Sequence, residues 1–205
     1  MNRLVKLVNE LFHRPRPQGR FVGRMKTRDM NVGANTALKY RMNAGFLGAI
    51  SRVESAKVEP ALMDPTTPAT AYGQAVVVNT SANTVRKMQA GDTALDAIYG
   101  ILVRPYPISQ MQASSDMAPA SLNTQTPPTS GAVDVLRSGY IMGYVNGAVT
   151  KGGRVYVWIA ADSGNHKQGS FEASATGGST IQLDEKSYFN GPADANGVVE
   201  IAFNL

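Results

Sequence analysis

The last third of this chain, residues 139–205, alternates strand-forming runs with glycine turns, and that pattern leaves few folds open to it. Tyr140 to Val145 runs into Asn146-Gly147, Ala148 to Thr150 into Lys151-Gly152-Gly153, and Arg154 to Ala160 follows. Aromatic and β-branched residues broken by Asn-Gly or Gly-Gly are the short-range mark of antiparallel hairpins, because the favoured two-residue turns need positive φ. The spacing therefore predicts hairpins at 146–147 and at 152–153. Further strands are expected over 169–173, 180–183 and 198–203, with Asn196-Gly197 turning the chain into the last of them.

The same grammar extends upstream. Gly73 to Val78, Thr84 to Met88, Ala97 to Arg104 and Val133 to Leu136 read as strands. Residues 49–59 give an imperfect strand pattern, and Pro60, Pro65 and Pro68 mark a loop after it. Residues 109–131 are poor in bulky apolar side chains and rich in Ser, Thr, Gln and Pro, the composition of an exposed loop. Short strands every 8 to 14 residues predict a mainly β body over 48–205, a jelly-roll-like sandwich or a small barrel. With 205 residues and no cysteine, the chain has enough surface to bury a core without disulfide staples.

The N-terminus is different in kind. Leu4, Leu7, Val8 and Leu11 follow the i, i+3, i+4, i+7 spacing of an amphipathic helix, and Pro15 and Pro17 stop it, which sets a first segment at 1–17. Residues 18–47 show no sustained period and read as an extended arm. Residues 1–28 carry eight basic side chains against Glu10 alone, a net +7, which leaves −2 for the rest of a chain whose total is +5. The basic excess is thus a property of the arm. Lys6, Asn9 and Glu10 interrupt the apolar run near the terminus and no small-residue cleavage site follows, so a signal peptide is not expected; no run approaches the roughly 20 residues that span a bilayer, and no membrane partner is assigned.

Chemistry is hard to find. Asp162, Ser163 and His166 invite a triad, but three near neighbours in a glycine-containing turn lack a buried orienting carboxylate, so the turn reading prevails. Two distant histidines and no cysteine make no zinc site. Asp92 with Asp96, and Asp184 with Glu185, lie in polar turns rather than apolar clefts. Asp194-Ala195-Asn196-Gly197 is an incomplete calcium loop and a complete hairpin turn. No catalytic residue, cofactor or metal is assigned. The arm's charge would give salt-sensitive affinity for phosphates, but only Phe12 and Phe21 interleave it and no nucleic-acid fold follows, so nucleic acid is not assigned as a partner. Tyr140, Tyr144, Tyr156 and Trp158 alternate, and an exposed row of them would suit a carbohydrate-binding module.

Gly147 to Val157, Gly169 to Ala173, Tyr188 to Phe203, and Gly100 to Pro105 after Ala90-Gly91-Asp92 together resemble the cement, or head decoration, proteins of tailed bacteriophages. The resemblance covers about residues 46–205, and the basic arm departs from the shorter start of that family. It implies a non-enzymatic virion protein on the outer capsid surface, assembled in the host cytoplasm. It also implies a homo-oligomer, trimer ahead of dimer, that clamps neighbouring major capsid subunits against the pressure of packaged DNA. On that reading Leu4, Leu7, Val8 and Leu11 form an apolar anchor, and Arg14, Arg16, Arg20 and Arg24 make electrostatic contacts. A tail or baseplate component is the competing virion role.

Overall fold

The computed structural model describes residues 45–105 and 126–205. Ten strands account for nearly all regular structure there, in chain order β1 (Lys57–Met63), β2 (Ala75–Asn79), β3 (Thr84–Lys87), β4 (Ile98–Val103), β5 (Gly131–Asn146), β6 (Tyr156–Trp158), β7 (Phe171–Glu172), β8 (Thr180–Gln182), β9 (Tyr188–Phe189) and β10 (Val198–Phe203). Five of them close on themselves. The order β1-β3-β2-β4-β5 returns to β1 through an antiparallel β1–β5 pairing, so the mainly β expectation is met by a small barrel with additional strands. The β1–β3 join is the shortest seam, a single parallel pair at Met63 and Val85.

β5 organises the molecule. At 16 residues it pairs through its first half with β1 and β4, and through its second half with β10 and, in parallel, with β7. The change of partner falls at Gly139, where φ is 135° and a Cβ would stand 2.9 Å from the Cα of Ala56. Glycine alone suits that backbone and that approach, so one strand serves two sheets. Beyond it, β9-β10-β5-β7-β6-β8 forms the second layer.

Two cores follow from the period-two alternation of the shared strands. Met63, Val76, Val85, Leu102, Val133 and Val135 draw from all five ring strands and fill the barrel, with Tyr72 and Ala69 packed among them. Their alternates Val77, Ile101 and Leu136, joined by Ile141 beyond the irregularity at Gly139, face Val157, Phe171, Phe189, Ile201 and Phe203 in the second core.

Three expectations need correction. Asn146-Gly147 does not turn a hairpin: β5 runs unbroken to Asn146, Gly147 at φ 102° leads the chain away, and residues 148–150 form no strand. The edge that a hairpin partner would take is filled by β10, remote in sequence, paired from Gly139 to Tyr144. Pro60 lies in a strand, not a loop; β1 has only the Met63 pair on its second edge, so a residue without an N–H is accommodated. Over 49–59, a short 3-10 turn at Val53–Ser55 interrupts the predicted strand before Lys57. The turn at Asn196-Gly197 forms as read, closing β9 onto β10. Most of the proposed 109–131 loop lies outside the described residues, and its last residue opens β5.

Candidate functional site

Leu4, Leu7, Val8, Leu11, Arg14, Arg16, Arg20 and Arg24 all lie outside the described residues. What the structure does describe is the place where the chain enters the body. Residues 48–51 lie along the edge of β5: Gly48 N–H donates to Met142 O, Met142 N–H to Ala49 O and Ser51 N–H to Tyr140 O. Arg104, 6% exposed at the end of β4, donates from Nε to Leu47 O at 3.1 Å and lies over the rings of Tyr72 and Phe46. Burial lowers its pKa, against the opposing influence of Tyr72.

A second clamp holds the same segment from the other side. The Glu200 carboxylate, on β10, accepts from Ser51 Oγ at 2.5 Å, from Arg52 Nε and Nη2 at 3.3 and 3.1 Å, and from Asn190 Nδ2. Burial pushes this carboxyl upward, but the hydrogen bonds from Ser51, Asn190 and Arg52 outweigh it and hold the group below its ordinary value. Arg52 also covers the Tyr140 ring, 4.0 Å from its centroid. Ser51 and Arg52 were not singled out from sequence; only the register of 48–51 on β5 brings them to Glu200.

β1 presents an open face. Val58, Pro60 and Leu62 are alternate residues and so point the same way; Val58 is 39% and Leu62 55% exposed. Opposite them on β5 stand Ala132, across from Leu62, and Asp134, across from Pro60. Between β1 and the tip of the β2–β3 hairpin lies a hollow of about 260 Å³ whose lining includes Pro60, Leu62, Val78, Thr84, Tyr99 and Ala132. Thr84 Oγ1 is buried there without a hydrogen-bond partner. Tyr99 OH donates to Glu59 Oε2 at 2.6 Å, and Arg137 covers the Tyr99 ring at 3.8 Å while its Nε reaches Glu59 at 3.5 Å.

The groups that had invited catalytic readings are otherwise occupied. His166 Nδ1 lies 2.8 Å from the buried Glu172 carboxylate and 3.1 Å from Asn146 Nδ2, and its ring stacks on Trp158 at 4.3 Å. Ser163 and His166 exchange backbone hydrogen bonds across a tight turn, and Asp162 Oδ1 accepts from Gln168 N–H. The partner of the histidine is thus Glu172, six residues on in β7, not Asp162. Asp92 is gripped by Arg86 through two bonds of 2.7 Å, and Glu185 by Arg154 at 2.9 Å. Asp194 Oδ1 accepts from Asn196 and Val198 N–H, a turn and not a calcium loop. Among the described residues no group of three or more His, Cys, Asp or Glu could hold a metal, and no helix is long and apolar enough to cross a membrane. Trp158 is 7% exposed beneath His166, so it contributes to no open aromatic row.

Comparison with known proteins agrees with this geometry. A family model described as XM1 gp53 minor capsid protein matches residues 35–203. A solved chain from the capsid of Myoviridae phage XM1 superposes with a TM-score of 0.57 at 17% identity, covering 80% of this chain and 92% of that one. At that identity the likeness is one of fold. No curated protein matches the sequence.

Proposed function

The chain belongs to the XM1 gp53 minor capsid protein family, a structural capsid component of bacteriophage virions, and we propose that it staples neighbouring major capsid subunits from the outside of the expanded head. The family match over residues 35–203 carries this reading, because it spans all of the described residues but the last two. The physical case concerns load. A body with its two cores joined through β5 is stiff, and the chain that leads out of it is fixed at its root by Arg104 and by the Glu200 cluster. A staple needs both, since tension on the outer segment is passed to the sheet through those bonds.

In this reading residues 1–17 and 18–47 form the contact arm and 48–205 the body. Leu4, Leu7, Val8 and Leu11 supply apolar anchorage, and Arg14, Arg16, Arg20 and Arg24 supply charge. Weak single contacts become strong when an oligomer engages several subunits at once, which favours a homo-oligomer, a trimer before a dimer. No step of this role needs catalysis.

Co-sedimentation of the purified protein with expanded, emptied heads at physiological salt tests the proposal. Saturable binding at a fixed ratio to major capsid subunits is expected. Absence of binding by a folded protein overturns the outer-surface role and directs the search to tail fractions.

A further inference from the structure

We propose that the outward face of β1 is the seat of the N-terminal segment of a neighbouring copy, so that copies are joined arm to barrel. This deepens the stapling role by naming a sister copy as the partner of the arm's apolar stripe, and it rests on that role.

The face lacks what a finished barrel wall has. Its seam with β3 is one residue pair long, and the hollow of about 260 Å³ opens where the two strands part. Leu62 stands on the rim, more than half exposed. Asp134 adds charge selection. It is exposed beside Pro60 and makes no ion pair among the described residues. The seat therefore fits a segment that combines aliphatic side chains with basic ones.

The chain itself carries that chemistry. Leu4, Leu7, Val8 and Leu11 recur at helical spacing beside Arg3, Lys6 and Arg14. Reach is ample: the 44 residues before Gly45 span up to roughly 150 Å when extended, against a radius of gyration of about 15 Å for a body of this size. The exchange of an identical element between copies is a low-cost route to assembly, because it needs no second partner surface.

The absence of cysteine allows a clean test. Full-length Leu7→Cys and full-length Leu62→Cys chains are mixed and mildly oxidised, and the disulfide-linked heterodimer is measured against a control in which Lys151→Cys replaces Leu62→Cys. An excess of roughly tenfold or more is expected, since docking raises the effective concentration of the two thiols. In parallel, Leu62→Asp lowers the sedimentation mass of the wild-type oligomer without changing its melting temperature. Heterodimer no more abundant than the control overturns the inference. So does a doubly substituted chain that closes on itself at high dilution, which would place the segment on its own body. Head co-sedimentation of the wild-type chain separates the two claims: binding without heterodimer defeats only this inference, and heterodimer without binding defeats only the stapling role.

Discussion

Glu200 shows how one side chain ties distant parts of the chain together. Its carboxylate collects donors from Ser51, Arg52 and Asn190, and their sum holds it ionised below the usual range despite burial. Glu200→Gln keeps the shape and loses the charge, and urea titration should show about 1–2 kcal/mol of lost stability. The pH dependence has a definite sign. A carboxyl with a depressed folded pKa contributes fully above the unfolded value of about 4.3 and loses that contribution as pH falls through the lower folded value. Asp92 is depressed in the same direction: burial raises it, and Arg86 and the Gln89 N–H more than compensate. The acid side of a melting-temperature profile should therefore be shallower in Glu200→Gln than in the wild type. Gly143 makes a sharper steric case. A Cβ there would sit 2.6 Å from Ile201 Cδ1 and 2.8 Å from the Phe171 ring, so Gly143→Ala should cost about 1–3 kcal/mol by overpacking. Gly91→Ala, with nothing within 4 Å, should change little in the same titration.

Among elements, β5 carries the most consequence. Leu136 is fully buried in the second core, and on the same strand Val133 and Val135 face the barrel core. Leu136→Ala should lower the unfolding free energy by about 2–5 kcal/mol. Since both cores hang on this strand, Trp158 fluorescence and far-ultraviolet circular dichroism should report one coincident transition; two separate transitions would show that the sheets unfold independently. The strands themselves were legible: 73–78, 84–88, 97–104 and 198–203 read from sequence overlap β2, β3, β4 and β10. Each is a run of β-branched or aliphatic residues bounded by turn formers, and such local signals survive folding. Pairing was less legible. Val133 to Leu136 and Tyr140 to Val145 read as two strands, yet they are halves of one: at Gly139, whose positive φ bends the backbone, the strand changes partner without ending.

For the whole molecule, charge sets residues 1–28 apart from the rest of the chain. Removal of residues 1–28 turns a net +5 into −2. If the arm supplies charged contacts to the head, deletion should weaken binding and also remove most of its salt dependence between low and physiological ionic strength. Equal salt slopes for the full and shortened chains would place the contacts on the body. The site was less readable than the fold for a related reason. The arm residues were visible as a stripe and a charge run, since both are patterns along the chain. The seat on β1, the orphan hydroxyl of Thr84 and the Glu200 clamp were not, because each depends on residues more than 20 positions apart.

By itself the sequence determined the β character of this protein, the approximate position of most strands, the segregation of its basic charge, and the family its motifs resemble. These are recorded locally, in side-chain branching, turn residues and composition. Tertiary structure alone decided that β1 to β5 close into a ring, that β10 displaces the hairpin partner expected after Asn146, and that His166 answers to Glu172. The physical reason is competition for edges. A strand's sequence states which face it buries, but which neighbour takes its hydrogen bonds is settled by packing among all strands at once.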